Sequence, residues 1–353
     1  MFLMDRFSGI LDKTTAALVI TDVNRRYLTG FQSSLGYLFV TAHEAKLLVD
    51  GRYYLAAGQS VKSAQVVLIE NVSVQLNDWI KSNGIKTLLL EKGITVSEFE
   101  CFKAMFEDIE VVADGRVDEK LADLRSVKTV DEIASIIAAQ RIAERAFSEV
   151  LNFIKVGVTE HRIATELEYR MRLFGSEDKS FDTIVVSGFK SAMPHGVPDG
   201  KFIERGDFIT MDFGAVVNGY HSDMTRTVAV SCVSDEMAEV YDTVLRAQSA
   251  AESMVKNGAP CVDIDKAARN VIASAGYGEY FTHSTGHSLG LEVHESPNLS
   301  LKSTAVLKKG QVVTNEPGIY IDGKFGVRVE DMLLVTDNGC ENLTKCEKSL
   351  IIL

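Results

Sequence analysis

Residues 207–227 read DFITMDFGAVVNGYHSDMTRT, and this stretch decides how most of the chain is understood. Val, Ile, Phe and Thr flank an Asn218-Gly219 pair, the signature of a β-hairpin closed by a two-residue turn. With those two residues at the tip, Val217 faces Tyr220 and Asp212 faces Thr225. Asp223 lies two residues from Thr225, so both carboxylates point to one face of the ladder, where diagonal neighbours sit ~7 Å apart. Two bare carboxylates that close repel, and one tends to hold a proton. A divalent cation between them removes the conflict. The plainer reading is a pair of solvated aspartates on an exposed sheet face; the apolar strand residues around them weigh against it.

A second acidic pair follows the same logic. Glu316 sits in Thr314-Asn315-Glu316-Pro317-Gly318 and Glu330 in Val327-Arg328-Val329-Glu330-Asp331. If Asp322-Gly323-Lys324 is the hairpin loop between them, the two glutamates face each other directly. Five of the 7 histidines fall between His195 and His294, in turns and strand ends marked by glycine, proline or serine. One such histidine is usually structural; a group of them beside paired carboxylates points to a reactive site. Four carboxylates and an imidazole form a hard, oxygen-rich set that suits two closely spaced divalent ions such as Mn, Co, Fe or Zn. A structural zinc site would favour cysteine ligands, and the 5 cysteines are scattered without ligand spacing.

Around this site the chain organises into two domains. Its 353 residues exceed one ordinary domain. From Ala16 to about Asp114, short apolar strands (TAALVITD, YLFVT, AKLLVD, QVVLIE, KTLLLE) alternate with helical stretches, the pattern of a small α/β domain. In it, Asn24-Arg25-Arg26-Tyr27 and Asp50-Gly51-Arg52-Tyr53 read as turns with a solvated charged edge. A boundary falls near 124–130, giving domains of 1–124 and 125–353. Thr129 and Glu132 form a capping box that opens a long amphipathic helix. Further helices are expected after Thr159 and at roughly 235–257 and 263–275. Strand-rich segments at 181–187, 207–230, 311–320 and 327–336 make the C-terminal part α+β, with a largely antiparallel sheet and helices on one side.

Composition narrows the class. A net charge of −12 argues against nucleic acid as a partner. No run of apolar residues is long enough for a membrane span. The N-terminus lacks the layout of a signal peptide, and the odd, dispersed cysteines fit a reducing cytoplasm.

The phrases MPHGVP, MDFGA, GYHSDMTRT, GHSLGLEVHE, NEPGIY and VRVED together resemble the pita-bread metallopeptidases, which include methionine aminopeptidase, aminopeptidase P and prolidase. NRRYLTGF and VDGRYY are similar to the extra, creatinase-like N-terminal domain of the Xaa-Pro branch. The resemblance implies a C-terminal pita-bread (creatinase/aminopeptidase) fold and two divalent ions per chain, manganese first among them. Asp212 would hold one ion, Asp223 and Glu330 would bridge both, and His287 and Glu316 would complete the other. A hydroxide bridging the ions would be the nucleophile. His195 and His294 match positions that act on the substrate and intermediate, and Glu316 doubles as a proton carrier. His283 and Arg328 match substrate-pocket positions. The implied substrates are short peptides with proline second, and the implied assembly is a homodimer. Asn315 stands where the family commonly has an apolar residue. Asn298 stands where several prolidase-like members carry arginine, which tilts the expectation toward an Xaa-Pro aminopeptidase, with Xaa-Pro dipeptidase as the alternative. A non-catalytic binding module and a creatinase-like hydrolase are the remote readings; the complete ligand set counts against both.

Overall fold

A computed structural model of the chain describes residues 3–353, and these divide into two compact units that part between Arg125 and Ser126. The N-terminal unit is built on a six-stranded mixed sheet. Its strands are β1 (Thr15–Val19), β2 (Tyr37–Val40), β3 (Ala45–Val49), β4 (Gln65–Leu68), β5 (Thr87–Leu90) and β6 (Glu110–Val112), in the order β4-β3-β2-β1-β5-β6. Alternate residues of the central strands feed two separate cores. Ala17, Val19, Leu38 and Val40 pack with Phe7, Leu28 and Leu121 on one face. Ala16, Leu18, Phe39 and Leu88 pack with Leu76, Ile80 and Phe102 on the other. Burial on both faces is why these strands read as unbroken apolar runs.

One expectation for this unit fails. Asn24–Tyr27 is not a solvated turn but the body of a helix, Asp22–Thr29, with Arg25 only 3% exposed. The guanidinium of Arg25 donates to the carbonyls of Ile20 and Ser33. The helix N-terminus is capped from far along the chain: buried Glu91 accepts from the backbone N–H groups of Ile20 and Thr21 and from the side chains of Thr21 and Asn24. By contrast, Asp50–Tyr53 is a turn, with exposed Arg52 paired to Asp50 at 2.7 Å.

In the C-terminal unit the strands are β7 (Ile184–Ser187), β8 (Phe208–Phe213), β9 (Val216–Val217), β10 (Tyr220–His221), β11 (Met224–Ala229), β12 (Gly286–Ser288), β13 (Glu295–Leu299), β14 (Val312–Asn315), β15 (Gly318–Ile321), β16 (Phe325–Arg328), β17 (Asp331–Val335) and β18 (Cys340–Asn342). They form sheets ordered β11-β8-β7 and β13-β12-β14-β17-β18 and the two-stranded ribbons β9-β10 and β15-β16, with antiparallel pairing throughout. Helix Val130–Val150 starts at the Thr129–Glu132 capping box, and Thr159 caps Glu160–Leu173. Their apolar faces pack on Ile209, Met211 and Phe213 of β8. Helices Asp235–Met254 and Cys261–Ser274 pack on Val313, Ile319, Val327 and Leu333. The period of two in β8 turns Thr210 and Asp212 the other way, where Thr210 Oγ1 lies 3.0 Å from Thr227 Oγ1.

Both expected hairpins form. Asn218 and Gly219 adopt φ of 52° and 79°, the positive values that a two-residue turn demands. Val217 pairs with Tyr220 and Asp212 with Thr225. The Asn218–Gly219 tip is fastened: both backbone N–H groups donate to Glu177, and Asn218 Nδ2 reaches Ser135 Oγ at 3.2 Å. In the second hairpin Asn315 pairs with Asp331 and Gly318 with Arg328, so Glu316 and Glu330 stand opposite in register. Its tip, Asp322–Lys324, is exposed. Among the described residues, no helix is long and apolar enough to cross a membrane.

Candidate metal centre

A cavity of about 500 Å³ in the C-terminal unit gathers Asp212, Asp223, His283, His287, Glu316, Arg328 and Glu330, together with His195, His294 and Asn298. These residues arrive from β8, the turn leading into β11, β12 and the segment before it, β13 and the turn before it, the loop between β7 and β8, and the crossing between β14–β17 and β15–β16. The carboxylates lie deep: Asp212, Asp223 and Glu330 are buried, as is His287, while His195 and His294 are exposed. Ligand atoms of Asp223, His287 and Glu330 all lie within 4.8 Å of one another. His287 Nε2 is 3.7 Å from Asp223 Oδ2 and 3.5 Å from Glu316 Oε1.

Local chemistry fixes each group. His287 Nδ1 lies 3.1 Å from the Ser288 carbonyl, so that nitrogen carries the proton and Nε2 presents its lone pair to the carboxylates. Burial, then the neighbouring His294 ring, lowers the His287 pKa to about 4. The imidazole is therefore neutral at pH 7, the form that ligates metals. Its backbone is seated by close approach: a Cβ on Gly286 would fall 2.1 Å from the Thr314 carbonyl oxygen. Thr314 Oγ1 accepts from the His287 N–H and donates to Glu316 Oε1. Thr225 Oγ1 donates to Glu330 Oε2 at 2.7 Å. Buried Arg226 donates to the carbonyl of Glu330 and to Asp331 Oδ1.

Burial raises the pKa of Asp223 and of Glu330 well above the carboxylate range, and the surrounding acids push both further. Glu316 is raised to about 8, again chiefly by burial. Arg328 provides one opposing charge. It bonds Asp212 Oδ2 at 2.6 Å, Thr225 Oγ1 at 3.0 Å, Tyr320 Oη at 2.8 Å and the Pro194 carbonyl at 3.2 Å. Arg328 thus lines the cavity while giving most of its donors to the protein. Asp212 Oδ1, by contrast, is buried with no hydrogen-bond partner among the described residues. An unpaired buried carboxylate oxygen beside three more acids fits a cation donor set. Glu316, Glu330, Asp223 and the Nε2 of His287 complete a set of oxygen and imidazole donors suited to divalent ions.

His283 is orientated from both sides. Nδ1 donates to the Ser284 carbonyl at 2.8 Å, so Nε2 accepts from Tyr320 Oη, also at 2.8 Å. Burial, with Arg328 adding to it, lowers the His283 pKa to about 3. The rings of His287 and His294 meet edge to face at 4.5 Å. Sequence reasoning brought every candidate residue to this one cavity but missed part of its wall. Phe181, Ile184 and Val293 supply apolar surface there. The only signal for Phe181 and Ile184 was a strand-like run at 181–187, which carried no chemistry of its own.

The model of metallopeptidase family M24 matches residues 134–337, and that of the creatinase/prolidase N-terminal domain matches residues 12–127. An Xaa-Pro dipeptidase of Pyrococcus horikoshii is 38% identical over 345 residues, covering 97% of this chain and 96% of that protein. Among solved structures, an Xaa-Pro dipeptidase from Bacillus anthracis aligns with a TM-score of 0.93 at 40% identity, covering 99% of each chain. An X-Pro aminopeptidase from Thermotoga maritima aligns with a TM-score of 0.93 at 37% identity, covering 99% of this chain and 100% of the other.

Proposed function

Because the chain belongs to metallopeptidase family M24, we propose that it is an Xaa-Pro dipeptidase that works with two divalent cations per chain, manganese first among the candidates. The C-terminal unit has the α+β pita-bread fold of that family, and the N-terminal unit is the smaller creatinase-like domain. One observation carries the reading: four carboxylates and a neutral imidazole converge in one cavity, with a buried Asp212 oxygen left without a partner among the described residues. In this reading Asp212 would help hold one ion and His287 and Glu316 the other, with Asp223 and Glu330 contributing to both. When bound, such ions supply activation of water near neutral pH and polarisation of the scissile carbonyl.

The chain's own groups do the rest. Glu316, whose Oε1 accepts from Thr314 Oγ1 at the cavity wall, is placed to take up a proton and pass it on, as a proton-transfer carboxylate requires. His195 and His294 line the cavity and are exposed, so they meet an entering peptide first and can donate to the oxygen on which negative charge develops. Phe181 and Ile184 offer apolar surface to a proline ring, which has no N–H to satisfy. His283, held neutral, and Arg328 border the same pocket. The acids favour a substrate with a free, positively charged N-terminus.

The named relatives weigh toward the dipeptidase over the aminopeptidase that Asn298 favoured. The aminopeptidase remains the second reading, on the strength of Asn298 at the cavity wall and the Thermotoga maritima relative. The deciding experiment sets an Ala-Pro dipeptide beside an Ala-Pro-Ala tripeptide, with each metal restored to stripped protein. Cleavage of the dipeptide alone supports the dipeptidase; efficient cleavage of the tripeptide moves the assignment to the aminopeptidase; cleavage of neither rejects both.

A further inference from the structure

We propose that Glu160 and Lys190 are positioning residues that close the neck of the loop carrying His195, and so set where that histidine stands in the cavity. His195 lies on an excursion from Gly188 to about Lys201, between β7 and β8, and much of it is exposed, Phe189, Met193 and Val197 included. Such a loop has little apolar burial of its own to hold it still. What holds it is polar and lies at its base. Glu160, in the first turn of helix Glu160–Leu173, is 0% exposed. Its Oε1 accepts from the backbone N–H of Ser187 at 2.7 Å and from Ser187 Oγ at 2.8 Å. Its Oε2 accepts from Lys190 Nζ at 2.5 Å and from the backbone N–H of Asp199 at 3.4 Å. One carboxylate therefore binds residues on both the outgoing and the returning arm.

Lys190 repeats the arrangement with opposite charge. An ammonium has three donors, and here they reach Glu160 Oε2, Asp199 Oδ2 at 2.8 Å and the Val197 carbonyl at 3.2 Å. The backbone N–H groups of Glu160 and His161 donate to the carbonyls of Lys201 and Asp199, which tie the returning arm to the same helix end. On the cavity side, Ser191 Oγ accepts from the Gly326 N–H at 2.8 Å and the Pro194 carbonyl accepts from Arg328. Both ends and the inner edge of the loop are thus fixed, and His195, next to Pro194 on the cavity wall, lies between them. A burial as complete as that of Glu160 is costly for a carboxylate unless it is fully bonded. None of its partners belongs to the metal donor set. The chemistry assigned to His195 rests on the peptidase reading above; the closing of the loop does not.

The test uses Glu160→Gln, which keeps the volume but replaces an acceptor with a donor facing Lys190, and Lys190→Met, at a less buried site. In the full-length protein, hydrogen exchange of residues 188–200 should speed up by about 10-fold or more in both variants, while β8 and β11 keep the parent rates and Mn²⁺ affinity is unchanged. Turnover should fall by about 10- to 100-fold, since a displacement of about 1 Å can cost that much. In a His195→Ala background the same substitutions should change turnover by less than about twofold. Parent-like exchange in the loop for both variants would overturn the proposal. So would an equal loss of turnover with and without His195. If the parent cleaves no Xaa-Pro peptide, the peptidase reading falls and the exchange experiment still decides whether Glu160 and Lys190 hold the loop.

Discussion

Stripped of metal, the C-terminal unit should become less stable as the pH rises above about 7, the reverse of the usual behaviour of acidic side chains. Carboxylates in folded proteins ordinarily have depressed pKa values and lend stability at high pH. Here burial raises Asp223, Glu316 and Glu330 instead. A folded state with raised values keeps protons that the unfolded chain has released. Its advantage is complete below the unfolded value of 4.5 for Glu316 and is lost as the pH climbs through the folded value of about 8. His283 and His287, lowered to about 3 and about 4, act in the opposite sense. Their contribution is complete once the pH passes the ordinary value of 6.5. Above about pH 7 the acids therefore act alone. Each carboxyl that must ionise removes about 1.4 kcal/mol per pH unit. The Glu316 side chain keeps 16% of its surface exposed, and water reaching it trims its share to about 1 kcal/mol. Asp223 and Glu330 are raised in the same direction and release protons jointly with it, so the expected loss between about pH 7 and about pH 8 is at least the Glu316 share of about 1 kcal/mol. The assay is chemical unfolding in chelator across that range. Trp79, the single tryptophan, lies in the N-terminal unit, so its fluorescence follows that unit and serves as the internal control. Calorimetry, with the transition that Trp79 reports assigned to the N-terminal unit, follows the other. Saturating Mn²⁺ should reverse the slope, and Glu316→Gln should flatten it by its share. Stability that is constant or increases from pH 7 to 8 without metal would refute the reasoning, as would a parent-like slope in Glu316→Gln.

Three further outcomes are expected. Asp223→Ala and Glu330→Ala should each leave the protein with fewer than two Mn²⁺ per chain by elemental analysis, and full activity after exhaustive chelation of the parent would end the metal mechanism. His294→Ala should keep its metal and lose about 10²–10³ in turnover, whereas His287→Ala should lose metal; the opposite pattern would exchange their roles. Xaa-Pro substrates should be cleaved far better than Xaa-Ala, and N-acetylation should block cleavage, so comparable rates on Xaa-Ala would reject the proline pocket while leaving a metallopeptidase.

The acidic pairs were legible because turns are local. Asn218-Gly219 sets the register that places Asp212 opposite Thr225, and Asp322–Lys324 sets the one that places Glu316 opposite Glu330. No long-range contact is needed to count along a hairpin. What brings the two hairpins together is not local. Thr225 Oγ1 reaching Glu330, and Gly286 pressed against Thr314 so that His287 enters the cluster, depend on sheet contacts between distant segments. Strands β12, β13 and β18 are short and carry little periodicity, so none stood out in the sequence. The NRRY segment misled for a related reason. Its charges read as solvated, but the cap that makes it a helix is Glu91, some 70 residues away, and Arg25 bonds to carbonyls whose positions only the fold determines.

The two hairpin tips differ in a way that matters to anyone wishing to graft onto this protein. Asn218–Gly219 is welded to Glu177 and Ser135, so an insertion there would tear three hydrogen bonds and disturb the ladder holding Asp212. Asp322–Lys324 is exposed, with Lys324 paired to Glu236 only through a solvent-facing side chain at 2.7 Å and the antiparallel pair Ile321–Phe325 closing the ladder behind it. Exposed tips backed by intact pairing are where chains accept foreign segments. A fluorescent tag or an immobilisation tether spliced between Asp322 and Lys324 would leave Glu316 and Glu330 in register, which makes this loop the seam through which the enzyme can be wired to a surface.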